Sequence, residues 1–159
     1  MSPAISDQAL ADRARRLIEE GVGRADHAVI DEVVAPDCIE HQRGHVQGSA
    51  SAHNVATTIH RWFSDLRITV QDVAVEGDIV WLRSRVEGTN TGSIMGFAPT
   101  GKPVSIDLFD VARLADGRIV EHWGLADQLG ILIQLGHVPC AAQGPSPTGA
   151  SAAADATVR

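Results

Sequence analysis

Asp110 stands between Phe109 and Val111 in a run whose apolar residues recur every second position. That period places it on one face with Leu108 and Ile106. A carboxylate on an apolar face is costly unless it is paired or working. Desolvated, such a group suits general base catalysis near neutral pH. The competing role is an ion pair with an arginine such as Arg85. His122 and Gly124 share a strand face by the same period. An imidazole there can orient a carboxylate or pass a proton; its plainer role is that of a hydrogen-bonded core or exposed histidine. Glu121 and Trp123 fall on the opposite face, where packing or a subunit contact is the expected role.

Other residues bring further chemistry. His41, in Glu40-His41-Gln42, lies in a polar loop of the kind that often carries function, and is a candidate for the same pocket. Asp127 sits where a strand gives way to a helix and reads foremost as a helix N-cap, with a pocket role compatible if that helix closes the pocket. His27, His45, His53 and His60 read as solvated or capping. His53 and His60, seven apart, share a helix face, yet no set of histidines and carboxylates has clean metal-ligand spacing, so no metal is expected. Trp62, Phe63, Met95, Phe97 and Phe109 are candidates for a pocket wall suited to a flat polycyclic substrate, or for ordinary core. The chain has no tyrosine, so backbone amides, His122 or tryptophan N–H groups would have to stabilise a developing enolate. No phosphate loop, nucleophile elbow or Cys–His pairing is present.

The elements that must position these residues follow from periodicity. Ser6 can cap a helix carrying Leu10, Ala14, Leu17 and Ile18, ended by Gly21 and Gly23. Asp26 can cap a second helix, stopped by Pro36. A polar loop, His41 to Gly48, leads to a third helix from about Ser49 to Ser64. From Leu66 the period changes to two. Strands are predicted over Leu66–Val75, Ile79–Val86, Val104–Leu114 and Arg118–Leu125, with turns at Glu76-Gly77-Asp78 and Asp116-Gly117. A loop fills Gly88–Lys102, and a short helix follows over 127–136. Helices first, then hairpin-linked strands, give α+β: a curved antiparallel sheet covered by the N-terminal helices, forming a cone with an internal pocket.

Composition sets the bounds. The 159 residues suffice for one domain, expected over 1–137. The segment 138–159 is rich in Ala, Pro, Gly, Ser and Thr and is expected to be a disordered or loosely attached tail. The formal net charge of -7 argues against nucleic-acid and anionic-membrane partners. Cys38 and Cys140 fit a reducing compartment, no apolar run reaches membrane-span length, and the start does not read as a signal peptide. A cytoplasmic location is expected. A face carrying Trp81, Trp123 and Val111 is expected to pair two copies into a homodimer.

The segments Gly88-Thr89-Asn90-Thr91-Gly92, Met95-Gly96, Pro99-Thr100-Gly101-Lys102, Asp116-Gly117-Arg118-Ile119, Glu121-His122-Trp123 and Gln134-Leu135-Gly136 occur in an order and spacing that resembles the SnoaL-like polyketide cyclase family. The resemblance covers roughly residues 8–137. It implies a cone fold of the nuclear transport factor 2-like type, an apolar pocket and no metal or organic cofactor. It also implies acid/base chemistry on a polyketide-like or other small hydrophobic cyclic substrate. The reaction would be aldol cyclisation, or a related isomerisation, dehydration or hydration, in antibiotic or other secondary metabolism. Aligned on Asp116-Gly117, the family's histidine column falls on Asp110 and its catalytic aspartate column on Gly124. The His122 column and Asp127 are retained. The missing carboxylate at Gly124 favours the alternative of a non-catalytic binder of a small ligand, or a helper of a partner oxygenase. Asp110 favours an enzyme. On this reading Asp110, His122, Asp127 and His41 are catalytic candidates, and Trp62, Phe63, Met95, Phe97 and Gly124 bind substrate.

Overall fold

A computed structural model describes residues 6–140. The expected tail therefore lies, from residue 141 onward, outside the described residues. Ser6 Oγ accepts from the Ala9 amide at 3.3 Å and opens α1, Asp7–Arg16. The helix continues as a π-helical stretch, Leu17–Val22, in which Gly21 lets Ile30 pack close: a Cβ there would lie 2.9 Å from Ile30 Cγ1. Asp26 caps α2, His27–Val33, through the amides of Ala28 and Val29. After a polar segment, α3 spans Ala50–Trp62.

The expected strands are present as β2 (Arg67–Glu76), β3 (Ile79–Thr89), β4 (Pro103–Ala115) and β5 (Arg118–Ala126), followed by α4 (Gln128–Leu135). One element corrects the sequence reading. Val34–Glu40, expected as a helix end and loop, is a strand; it pairs parallel with β5 at the sheet edge. In chain order it is β1, and the sheet runs β1-β5-β4-β3-β2. Pro36 does not stop a helix; it sits in this edge strand, where a missing amide donor is tolerated. The sheet is thus mixed rather than wholly antiparallel, curved and open.

The helices cover the inner face of the sheet. Ile30 and Val33 from α2 meet Val80, Leu82, Ala112, Leu114 and Ile119 in one buried cluster. A second cluster joins Phe63, Ile94, Val104 and Ile106 to Ile131 and Leu135 of α4, which closes the other end. Asn90 organises the loop after β3: its amide nitrogen donates to the carbonyls of Trp62 and Gly92, and its Oδ1 accepts from Thr100 N. Among the described residues no helix is long and apolar enough to cross a membrane.

Candidate active site

Asp110 and His122 meet across the β4–β5 hairpin. His122 is displaced by two residues from Gly124, the register partner of Asp110, and therefore projects from the same face. Its Nε2 lies 3.1 Å from Asp110 Oδ1. Its Nδ1 lies 2.9 Å from Oε2 of Glu40, its register partner on β1. Arg85, the alternative partner for Asp110, instead bonds Asp107 and Ser105 on the outer face.

The three groups form a buried ionic row. Burial disfavours charge on His122, but the hydrogen bonds it donates to Asp110 and Glu40 outweigh it and push its pKa up to about 9. Burial acts to raise the Glu40 carboxyl, yet His122, the Gln42 amide and Ser51 together hold it below the usual value. Ser51 Oγ donates to Glu40 Oε2 at 3.2 Å and lies 3.3 Å from His45 Nδ1, so the row continues toward the loop. Asp110 is 4% exposed, and among the described residues its Oδ2 is buried without a hydrogen-bond partner.

This row lines one side of a cavity of about 330 Å³. Leu17, Ile18, Val55, Ile59, Ile106 and Ile131 supply much of the apolar wall, while Glu40, Gln42, His45, Asp110 and His122 supply polar groups. The size and the mixture of apolar wall with few polar groups suit a small organic molecule. Cys38 also lines it; burial, then the nearby acids Glu40 and Asp37, push its thiol up to about 11, which leaves it a poor nucleophile at neutral pH.

Trp62 and Phe63 are in the cavity wall. The other six candidates lie outside the cavity lining. His41 is on the outer face, its Nε2 2.8 Å from Glu121 Oε1 and its ring stacked on Trp123 at 4.4 Å. Met95 and Phe97 lie on a tight turn that buries Ile94 and tips both of them outward; Phe97 stacks on His137 instead. Phe109, with β4 parity opposite to Asp110, is 51% exposed on the outer face. Gly124 is beneath the Gln42 side chain and does not itself line the cavity. Asp127 is the N-cap of α4, accepting from Gly130 N at 2.8 Å, and is also outside the lining.

Glu40 and Gln42 were not singled out by sequence reasoning, and His45, read there as solvated or capping, lines the cavity. The available signal was parity. Once Val34–Glu40 is a strand, Cys38 and Glu40 face inward and Ile39 outward, and the alternation carries Gln42 in and His41 out. Among the described residues no group of three or more histidine, cysteine or acidic side chains is arranged to hold a metal. His53 pairs with His27 and Asp31, whereas His60 bonds the Val22 carbonyl.

Residues 12–135 match the SnoaL-like polyketide cyclase family. The chain belongs to that family. It is an enzyme of the SnoaL-like cyclase type with the family's cone fold. It is 27% identical over 142 residues to the aklanonic acid methyl ester cyclase DauD of Streptomyces sp. (strain C5), covering 86% of this chain and 83% of that one. Among solved structures it resembles IdmH of Streptomyces antibioticus, a suggested polyketide cyclase. Identity there is 32% and the TM-score 0.69, covering 80% of this chain and 98% of the other. It also resembles AclR of Streptomyces galilaeus, a suggested hydroxylase, at 28% identity and a TM-score of 0.76, with 87% of each chain covered.

Proposed function

We propose that this SnoaL-like protein closes a ring of a polyketide-derived substrate by an intramolecular aldol reaction, using its own side chains for proton transfer, with Asp110 as the base. The observation that carries the reading is the Asp110 carboxylate. Oδ1 is held by His122, while Oδ2 is buried at the cavity wall with no partner among the described residues. A buried oxygen left unpartnered is costly, and a substrate proton would satisfy it. Oδ2 takes a proton from a carbon flanked by carbonyl groups. The resulting enolate attacks a second carbonyl, a C–C bond forms, and the new alkoxide recovers the proton from Asp110. His122, held as an imidazolium by Glu40, aims the Asp110 carboxyl through its Nε2. The apolar wall shields the enolate from water. The likeness to an aklanonic acid methyl ester cyclase supports a polycyclic aromatic ester as substrate.

The reaction is tested in D₂O with aklanonic acid methyl ester. Ring closure yields a product isomeric with the substrate, and Asp110 should wash deuterium into the acidic carbon of recovered substrate. Substrate recovered without cyclised product or catalysed deuterium uptake would falsify the reading.

The same reading includes a homodimer formed through the outer face of the sheet, in the cytoplasm. Trp81, Val111 and Trp123 form one register row across β3, β4 and β5, and Phe109 pairs with Leu125 beside it. Trp81, Phe109 and Leu125 are 51%, 51% and 72% exposed. An apolar surface of that kind favours association.

A further inference from the structure

We propose that the Gln42 carboxamide holds the developing enolate oxygen beside Asp110, and that residue 124 is glycine to admit it. This rests on the aldol reading above and adds a residue to it. Gln42 is anchored by its own backbone: its N–H donates to Glu40 Oε1 at 2.9 Å. From there its side chain reaches over β5. A Cβ on Gly124 would lie 2.9 Å from both Cδ and Nε2 of Gln42, and 3.1 Å from Asp110 Oδ1. The carboxamide and the carboxylate therefore converge on one point above the Gly124 backbone. Any side chain at 124 would occupy the space the carboxamide fills.

The site needs such a donor and has few to offer. Both nitrogens of His122 are committed, to Glu40 and to Asp110. The chain has no tyrosine. The Gln42 carboxamide lines the cavity, and among the described residues no protein group hydrogen-bonds it. When Asp110 removes the proton, the C–H electron pair moves onto the carbonyl oxygen, and the Gln42 N–H stabilises that charge. The pair then forms the C–C bond, and charge passes to the attacked carbonyl, which takes the proton from Asp110.

Gln42→Met, Gly124→Ala and the double variant separate this role from packing. Methionine keeps the bulk without the donor, and the added methyl displaces the carboxamide. Each protein is first shown to be folded by its thermal transition. With aklanonic acid methyl ester, each single variant should lower kcat by about 10²-fold with a smaller change in KM, typical of one lost oxyanion donor. The double variant should fall no further than Gln42→Met, because both changes remove one interaction. Binding of 1,8-dihydroxyanthraquinone, read from its visible absorption, reports hydrogen bonding to a carbonyl oxygen without turnover. Its spectral shift should be lost in Gln42→Met and Gly124→Ala and kept in Asp110→Asn. A shift unchanged by Gln42→Met, a wild-type protein that does not bind the dye, or losses that add in the double variant would overturn the proposal. If Asp110→Asn leaves turnover intact while the shift still depends on Gln42, the aldol reading fails and the carbonyl donor stands.

Discussion

Glu40 and His122 are register partners on the two parallel-paired strands, with 2.9 Å between Oε2 and Nδ1. Removing the Glu40 charge should weaken the His122 imidazolium that bonds Asp110. In Glu40→Gln, the high-pH limb of the activity profile should move to lower pH, toward the ordinary imidazole value. A profile that keeps its alkaline limb in place would show that Glu40 does not set the protonation of His122.

Asp110→Asn keeps shape and most hydrogen bonding but removes the base. Turnover should fall by ~10²–10⁴, the usual share of general acid–base catalysis. Binding of a substrate analogue should change little, because the loss belongs to the transition state. Steady-state kinetics together with analogue titration check both parts.

Stability should depend on pH through the same row. The His122 pKa is raised from 6.5 to about 9, so its contribution is full below pH 6.5 and fades as pH rises through 9. Glu40 is lowered, so its contribution is present above the ordinary carboxylate range and fades as pH falls through its lowered value. The loss on the alkaline side should be on the order of 3 kcal/mol, since one pKa unit is worth about 1.4 kcal/mol. Thermal melts from pH 5 to 10 measure it, and His122→Asn should flatten that limb.

His41 and Asp127 separate outer-face and capping roles from chemistry. His41→Ala should leave turnover within about twofold, an effect no larger than that of a typical surface change. Asp127→Ala should cost about 1 kcal/mol of stability through the lost cap, with turnover retained once folded. Loss of turnover in folded Asp127→Ala would move the proton transfer to the end of β5.

Leu125→Asp puts a charge into the exposed row beside Phe109. Light scattering at micromolar concentration should show a dimer for the wild type and a monomer for the variant. A wild-type monomer mass would leave the outer face without this role.

The hairpins and the carboxylate could be read from the chain because they are local. Asp116-Gly117 makes the β4–β5 hairpin; a register shift between Arg113 and Leu114 then sets Gly124 rather than Trp123 opposite Asp110, and so puts His122 on the Asp110 face. β1 could not be read the same way. Its burial pattern is interrupted at Pro36 and Asp37, and its partner is remote, so its alternation resembles a helix end followed by a loop. That one misreading hid Glu40 and Gln42 and sent His41 to the wrong face. Met95 and Phe97 were misplaced for a different reason. The turn at Met95 and Gly96 adopts positive φ, and no periodicity reports which way such a turn points its neighbours.

The two bonds to His122 differ in the length of chain that they close. Asp110 is 12 residues away, joined through a hairpin, whereas Glu40 is 82 residues away. Closing the longer loop costs more entropy, and non-local pairings form more slowly than hairpins. During refolding, the carboxylate–imidazole pair should therefore assemble early. The third member arrives only when β1 docks on β5. Activity should return with the slowest structural phase, so a chain that has regained most of its sheet can still lack its catalytic protonation state.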